Sequence, residues 1–265
     1  VTGGGSGIGR ACAIALAEYG ADVAVFDRDA NAAASVAGEI EALGRRARAL
    51  VVDVTSEDQV EGAIASCADG LGGIDILVSN AGIQIVKPIH EFPYEEWRKI
   101  LAIHLDGAFL TTRAALRHMY RQGRGGACIY MGSVHSHEGS PLKSAYVAAK
   151  HALLGLNKVL AKEGAAHNVR SHVVCPGFVR TPLVEKQIPD TMTARGLTRE
   201  QMSVQARVMG IADIFEALTA RDRPYKKGKT LSESLRILGD FAKNGHVDPD
   251  LFDVFVRQKV YLKYA

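Results

Sequence analysis

The sequence lacks the features that mark membrane-spanning, exported and metal-binding proteins. No apolar run approaches the roughly 18 residues that cross a bilayer, and we find no signal-peptide pattern. The 4 cysteines stand singly, without a C-x-x-C pair or metal-finger spacing. Each lies in or beside an apolar stretch, so we expect reduced core thiols and a cytoplasmic protein; they are Cys12, Cys67, Cys128 and Cys175.

A strong charge imbalance is missing as well. The formal net charge of the 265 residues is +3, and the densest basic run, residues 223–229, is short enough to be a solvated loop. Hydrophobic content of 47% and charged content of 23% are ordinary for a soluble globular protein. We therefore expect neither nucleic acid nor a membrane as a partner, and a chain of one large α/β domain or two small ones.

Short apolar runs alternate with helical segments over most of the chain. The predicted strands are 21–27, 47–53, 74–80, 126–132 and 169–175, and the predicted helices are 30–43, 56–70, 94–120 and 145–166. This alternation predicts an α/β fold with a Rossmann-like, doubly wound parallel sheet. Ligands of such sheets bind beyond the carboxyl ends of the strands, where the polar clusters of this sequence lie.

The two ends of the chain differ from this pattern. Because residues 1–9 begin at the end of a strand, we expect a first strand that is truncated. Only 4 of the 27 glycines fall after residue 202, and that part has no run of strand character. We predict a dehydrogenase-like α/β domain over 1–202 and a helical segment over 203–265, with helices at 203–219, 231–243 and 249–262.

A glycine-rich turn precedes the first predicted helix. Glycine lets backbone N–H groups approach a phosphate, and the helix N-terminus adds partial positive charge, although a flexible loop would look the same. A second strand ends in Asp27, whose carboxylate can accept hydrogen bonds from both ribose hydroxyls and would repel a 2′-phosphate; Arg28 would moderate this discrimination. We predict an NAD site, with these first contacts: Gly3, Gly5, Ser6, Gly7, Ile8, Gly9, Asp27, Asp53, Val54, Asn80, Ala81 and Gly82.

A serine, a tyrosine and a lysine form a candidate catalytic set. Ser133 ends the 126–132 strand segment, and Tyr146 and Lys150 are one turn apart on one helix face. An ammonium and the positive nicotinamide ring would both stabilise a phenolate and lower the pKa of Tyr146. We predict that Tyr146 takes the proton of an alcohol while Ser133 holds the oxygen.

The order of these motifs, T-G-x-x-x-G-x-G, D, D-V, N-A-G, S, Y-x-x-x-K and P-G, resembles the short-chain dehydrogenase/reductase family over residues 1 to about 200. The resemblance implies that Lys150 also holds the nicotinamide ribose, that the seventh strand of the sheet is missing, and that helices 94–120 and 145–166 form a homo-oligomer face. It implies further contacts near the nicotinamide from Pro176, Gly177, Val179 and Thr181.

One catalytic position departs from the family pattern. His104 stands where many relatives have an asparagine that completes a catalytic tetrad. Two interpretations remain: His104 holds a water of the proton relay, or it is a hydrogen-bonded core histidine.

Polar residues around the predicted pocket indicate a small carboxylate substrate. Gln84, His135, Lys143 and Gln187 offer amide donors, an imidazole and an ammonium, although each alone is also explained by an exposed side chain. Several stretches are similar to bacterial D-3-hydroxybutyrate dehydrogenases, a group within the family. That similarity implies hydride transfer between NAD and C3 of (R)-3-hydroxybutyrate or acetoacetate, with Ser133 and Tyr146 also in the substrate site.

The tail resembles a different family. A-D-x-x-x-A-L-T followed by R-P-Y is similar to the carboxyl end of HD-type phosphohydrolases, in which the residue matching Asp213 would be a metal ligand. None of the 9 histidines is followed by aspartate, so we predict no metal site. Three hypotheses follow: a dehydrogenase whose activity the tail impairs or spares, a non-catalytic nucleotide-binding remnant with a helical interaction segment, and an HD-type hydrolase.

Overall fold

The chain forms two compact units, Val1–Gln187 and Ile188–Ala265. The predicted domain boundary at residue 202 lies within the second unit and stays a prediction. The computed structural model describes residues 1–177, 179, 181–185, 187, 189, 208, 211, 212, 214, 215, 218, 219, 229–244 and 247–263.

The first unit alternates strands and helices as predicted. Its elements in chain order are α1 (Gly7–Glu18), β1 (Val23–Asp27), α2 (Ala30–Ala42), β2 (Ala47–Val51), α3 (Glu57–Leu71), β3 (Ile76–Ser79), α4 (Tyr94–Leu101), α5 (Gly107–Gln122), β4 (Gly126–Met131), α6 (Ser144–Glu163) and β5 (Val169–Val174).

All strand pairs are parallel. β1 pairs with β2, and β4 lies between β3 and β5. Residue Thr2 connects the two sheets, because it pairs in parallel with Phe26 and donates its N–H to the Val78 carbonyl at 3.0 Å. The carboxyl ends of these strands therefore meet at one edge, where the candidate site lies. The predicted α/β fold with a doubly wound parallel sheet is confirmed.

Side chains of β1 face two different apolar clusters. Val23 and Val25 pack with Val36 and Ile40 of α2, whereas Phe26 belongs to the larger cluster under α3, α5 and α6. Burial of a side chain of this size stabilises a fold by about 1.5–3 kcal/mol. Helices on both faces thus hold the sheet rigid beneath the site.

Local signals explain where several helices begin and end. The Asp29 carboxylate accepts from the first N–H groups of α2, and Ser56 caps α3. Gly72 and Gly123 end α3 and α5 in the left-handed conformation. The predicted segment 94–120 is helical but contains a π-helical turn, Ala102–Asp106, between α4 and α5.

The second unit is helical in its described part. α7 (Leu231–Lys243) begins with a capping box of Thr230 and Glu233, and α8 (Pro249–Arg257) is followed by a 3-10 turn, Val260–Lys263. Phe215, Leu238 and Phe255 lie in its apolar cluster. Of the predicted helix 203–219, only seven residues are described, and these are helical. In the described part of the chain, no helix combines the length and apolar character that a membrane crossing requires.

Candidate active site

The glycine-rich turn is a tight backbone cradle. Gly3 has φ +59°, a conformation that favours glycine. A Cβ on Gly9 would lie 2.1 Å from the Gly3 carbonyl oxygen, so α1 can start this close to the turn only with glycine there. Ser6, Gly7 and Ile8 continue the cradle into α1. The arrangement presents backbone N–H groups and a helix N-terminus, which fits the diphosphate of a dinucleotide.

The N-A-G segment braces this turn. The Asn80 amide donates to the carbonyl oxygens of Thr2 and Gly3, at 3.0 and 3.2 Å. The buried Thr2 hydroxyl accepts from the backbone N–H groups of Asn80 and Ala81. Thr2 begins the glycine-rich motif, but the sequence did not predict these contacts, because the partners are 78 and 79 positions away. Asn80 was predicted to contact NAD, but its side-chain nitrogen donates to the turn instead.

Asp27 is held in place by backbone donors. Its Oδ2 accepts from the Gly5 N–H at 2.9 Å, and its Oδ1 accepts from the Asp29 N–H at 3.1 Å. The carboxylate therefore lies directly beside the glycine-rich turn, at the carboxyl end of β1. This location agrees with the predicted contact to a ribose.

Asp53 and Val54 have different surroundings. The Asp53 Oδ1 accepts from the Thr55 N–H and hydroxyl, and Arg28 Nε lies 3.5 Å from Oδ2. These hydrogen bonds, and then the Arg28 charge, hold the pKa of Asp53 below its usual value against the effect of partial burial. The Val54 side chain is buried and packs against Gly107 at the start of α5.

The segment after β5 lies against two other parts of the site. Pro176 accepts a hydrogen bond from the Val134 N–H at 3.0 Å, next to Ser133. Thr181 lies beside the glycine-rich turn, because a Cβ on Gly7 would be 3.5 Å from its methyl group. Gly177 and Val179, between them, are exposed.

Ser133, Tyr146 and Lys150 are brought together at the end of β4. Ser133 is buried, and its hydroxyl accepts from the His135 N–H at 3.2 Å. A hydrogen bond also links it to the Tyr146 phenol. Lys150 Nζ lies 5.4 Å from the centre of the Tyr146 ring and donates to the Met131 carbonyl.

In the chain without NAD, the pKa of Tyr146 is shifted in the direction opposite to the predicted one. Burial raises the pKa of the Tyr146 phenol, and the hydrogen bond with Ser133 opposes that rise. Burial lowers the pKa of Lys150 to about 8, while the nearby Cys175 thiol opposes the shift. Burial thus outweighs the expected lowering of the Tyr146 pKa by Lys150 in the cofactor-free chain.

His104 is a buried, neutral histidine. It lies in the π-helical turn, with its ring edge-on to Tyr146 at 5.4 Å between centroids. Its Nε2 lies 3.0 Å from the Ile83 nitrogen and 2.7 Å from the Ile83 oxygen. Burial, followed by the charge of Lys150, lowers the pKa of His104 to about 3. Its buried Nδ1 has no protein partner among the described residues.

Three further polar atoms are buried without a partner in the part of the chain that is described: Gln84 Nε2, His135 Nδ1 and Ser144 Oγ. The sequence analysis did not single out Ser144, which begins α6. The His135 ring is 6.2 Å from that of Tyr146, and burial and then the charge of Lys143 lower its pKa. His135 and Lys143 thus lie near Tyr146, Gln84 lies in the segment after β3, and the Gln187 amide donates to the Leu183 carbonyl.

The candidate metal ligands and the cysteines were also compared with their predicted surroundings. Within the described residues, no group of three acidic, histidine or cysteine side chains could hold a metal ion. Asp213 lies outside those residues. The 4 cysteines are unpaired, but only Cys128 is fully buried; Cys12, Cys67 and Cys175 are half-buried, which corrects the expectation of core thiols.

Comparison with known proteins identifies the family. A family model described as short chain dehydrogenase matches residues 1–191, and an HD domain model matches residues 185–251. The chain belongs to the short-chain dehydrogenase family. The prediction of an NAD-dependent dehydrogenase is therefore confirmed, as is the resemblance of the tail to an HD-type fragment.

Similar proteins include two D-beta-hydroxybutyrate dehydrogenases. A D-beta-hydroxybutyrate dehydrogenase of Rhizobium meliloti is 42% identical over 212 residues, which cover 79% of this chain and 82% of that protein. Another, from Cupriavidus necator, is 43% identical and covers 76% and 78%.

Solved structures show the same fold. Acetoin dehydrogenase YohF from Salmonella typhimurium superimposes with a TM-score of 0.66 at 39% identity, covering 69% of this chain and 73% of that one. Carveol dehydrogenase from Mycobacterium avium in complex with NAD gives a TM-score of 0.68 at 30% identity, covering 69% and 71%.

Proposed function

We propose that the protein catalyses reversible hydride transfer between NAD and C3 of (R)-3-hydroxybutyrate or acetoacetate. The observation that carries this proposal is a set of buried polar atoms without a partner among the described residues: those of Gln84 after β3, His135 after β4 and Ser144 at the start of α6. Buried polar groups without a partner carry a free-energy cost, which a polar ligand removes. The two D-beta-hydroxybutyrate dehydrogenases among the relatives support the same substrate.

The chain's own residues fit a dinucleotide at the edge of the sheet. The glycine cradle would hold the diphosphate, Asp27 the adenosine ribose, and Asp53 and Val54 the adenine end. Pro176 to Thr181 would lie along the nicotinamide, and Lys150 would hold its ribose. When bound, NAD accepts the hydride that leaves C3 of the hydroxy acid.

Tyr146 acts as the general base in the proposed reaction. It takes the proton of the C3 hydroxyl, and Ser133 holds the same oxygen by a hydrogen bond. A positive charge near the phenol favours its ionised form, so Lys150 serves the reaction best when protonated. His104 stays neutral near pH 7 and contributes hydrogen bonds rather than charge.

The proposed carboxylate site combines one cation with neutral donors. The charge of Lys143 acts on His135, so both side chains face the same region. A carboxylate bound there would accept hydrogen bonds from both residues and from the Gln84 amide. We include Gln187 in this site, although its amide nitrogen must leave the Leu183 carbonyl to take part.

The test is NADH formation from NAD and (R)-3-hydroxybutyrate by the purified chain, with Tyr146→Phe as the control for catalysis. We expect turnover that disappears in Tyr146→Phe, while NADH binding persists. Lys143→Met should raise KM for (R)-3-hydroxybutyrate at least tenfold, as expected for loss of a charge-assisted hydrogen bond, and leave KM for neutral acetoin nearly unchanged. Equal loss for both substrates would contradict the carboxylate site.

Three further predictions belong to this proposal. The half-exposed apolar side chains of Phe109 on α5 and Val159 on α6 support the predicted homo-oligomer face. The 4 unpaired cysteines support a cytoplasmic location.

We also propose a boundary between the dehydrogenase domain 1–202 and the helical segment 203–265. Limited proteolysis tests it, and cleavage is expected near residue 202.

A further inference from the structure

The Asp53 carboxylate is fixed before any ligand binds. Its Oδ1 accepts from the Thr55 hydroxyl at 2.7 Å and from the Thr55 N–H at 2.9 Å. The backbone N–H of Asp53 is in turn held by the Gln59 side chain at 2.9 Å. These bonds leave Oδ2 as the oxygen that faces Arg28, whose Nε lies 3.5 Å away.

Arg28 lies between two aspartates that are already committed to backbone groups. Both oxygens of Asp27 accept from N–H groups, one from Gly5 and one from Asp29. Asp29 itself caps α2 by accepting from the N–H groups of Asn31 and Ala32. The carboxylates of Asp27 and Asp29 thus accept from backbone N–H groups, and Arg28 forms its ion pair with Asp53.

The position of Arg28 is suited to bind a phosphate. It follows Asp27, the proposed ribose contact, at the carboxyl end of β1, and its guanidinium lies beside Asp53, the proposed contact at the adenine end. A guanidinium is the side chain best matched to the oxygens of a phosphate monoester, such as the 2′-phosphate that distinguishes NADP from NAD. When Arg28 is paired with Asp53, the carboxylate offsets its positive charge, so the guanidinium attracts such a phosphate less strongly.

We propose that Asp53 is a positioning residue for cofactor specificity, which holds Arg28 away from the 2′-phosphate of NADP and so favours NAD. The inference rests on the proposed dinucleotide site. Asp27 also disfavours the 2′-phosphate, so loss of Asp53 shifts the preference without reversing it. Because Arg28 is 69% exposed, the ion pair is weak, and its release is expected to change the preference about fivefold.

The test is a double-mutant cycle on equilibrium binding. Dissociation constants of NADH and NADPH are measured by fluorescence for the wild-type chain, Asp53→Asn, Arg28→Gln and the double variant. The quantity compared is the ratio of the two constants, because any contact of Asp53 with adenine changes both equally. Asp22→Asn is the matched control, since Asp22 also pairs with arginines, Arg45 and Arg46, at the opposite ends of the strands.

We expect Asp53→Asn to lower the ratio of the NADPH dissociation constant to the NADH dissociation constant about fivefold. In the Arg28→Gln background, Asp53→Asn should leave this ratio unchanged. Asp22→Asn should leave the ratio unchanged. Equal improvement with and without Arg28 would overturn the inference, because Asp53 would then act through its own charge. No change in Asp53→Asn would overturn it as well.

The outcomes also separate this inference from the proposed function. A chain that binds NADH and shows the cycle, but does not oxidise (R)-3-hydroxybutyrate, would contradict only the proposed substrate. A wild-type chain that binds neither nucleotide would overturn both.

Discussion

Lys150 is a buried cation, and its position affects both chemistry and stability. Only 4% of its surface is exposed; its ammonium donates to the Met131 carbonyl and lies over the Tyr146 ring, with no carboxylate paired to it among the described residues. A charged group in such surroundings lowers the stability of the folded chain unless a ligand compensates for it. Its pKa of about 8 in the folded chain lies below the ordinary lysine value of 10.5.

This difference predicts how stability changes with pH. Because unfolding takes up a proton at Lys150 between about pH 8 and pH 10.5, the free energy of unfolding should rise with pH across that window. Relative to Lys150→Met, the free energy of unfolding of the wild-type chain should increase by about 2–3 kcal/mol across this pH window. Urea unfolding at both ends of the window measures the gain, and Lys158→Met, an exposed lysine of the same helix, should show none. A constant difference between wild type and Lys150→Met would contradict the prediction.

His104 acts through hydrogen bonds, because its pKa of about 3 keeps the ring neutral. Its Nε2 faces both the N–H and the carbonyl of Ile83, but one nitrogen can serve only one of them at a time. An asparagine amide would offer a separate acceptor and donor. We therefore expect His104→Asn to retain kcat/KM within about threefold, with the same profile between about pH 5 and pH 8.

The comparison is His104→Leu, which leaves the Ile83 groups without a partner. It should lose activity about tenfold or more, since an unsatisfied buried polar group costs about 1–3 kcal/mol. An acid limb near pH 6.5 that is present in wild type and absent in His104→Asn would show that the histidine titrates, contrary to the structure.

At the scale of elements, the glycine-rich turn and α1 depend on close backbone approach. A Cβ at Gly9 would lie 2.1 Å from the Gly3 carbonyl and 2.5 Å from the Asn80 amide nitrogen. Gly9→Ala should therefore separate α1 from the turn and weaken NADH binding at least about thirtyfold, or 2 kcal/mol, as measured by fluorescence titration.

Gly38 provides the matched control for this substitution. It lies in the middle of α2, and a Cβ there would meet nothing within 4 Å. Gly38→Ala should leave NADH binding unchanged and stabilise the chain by about 0.5–1 kcal/mol, because alanine loses less backbone entropy in a helix. Equal NADH affinity in Gly9→Ala and Gly38→Ala would show that the turn tolerates a side chain.

Hydrophobic periodicity predicted most elements closely. The predicted helix 30–43 is found as Ala30–Ala42, and the predicted strand 126–132 as Gly126–Met131. The π-helical turn at Ala102–Asp106 was missed, because one shifted backbone hydrogen bond leaves the apolar pattern almost unchanged. It matters for function, since it carries His104.

Site residues were predictable where a motif named them and unpredictable where only the fold brings partners together. Ser133, Tyr146 and Lys150 follow a recognisable spacing, and the structure groups them. The motif includes Thr2 without indicating that its hydroxyl binds the distant N-A-G segment, and Ser144 belongs to no motif, so the roles of both depend on polar contacts that only the fold shows. The pKa direction of Tyr146 was wrong for the chain alone, because sequence gives neighbouring charges but not the extent of burial.

At the scale of the whole molecule, each unit has an apolar cluster of its own. Val60, Leu77 and Tyr130 belong to that of Val1–Gln187, and Phe215 and Leu238 to that of Ile188–Ala265. A unit with its own core can unfold in its own cooperative step. Because the proposed dinucleotide contacts all lie in Val1–Gln187, NADH should stabilise that step.

We therefore expect two transitions on urea unfolding, of which NADH shifts only one. At about 100 times its dissociation constant, NADH should stabilise the dehydrogenase unit by about 2.7 kcal/mol. Hydrogen exchange with mass spectrometry assigns each transition, since protection by NADH should fall on peptides from residues 1–187 and leave those of 229–263 unchanged. At the same NADH concentration, the about thirtyfold weaker variant Gly9→Ala should show a shift of no more than about 0.9 kcal/mol, while both transitions remain. One transition that moves as a whole would show that the two cores unfold cooperatively, and the tail would then be energetically part of the dehydrogenase despite its HD-type sequence.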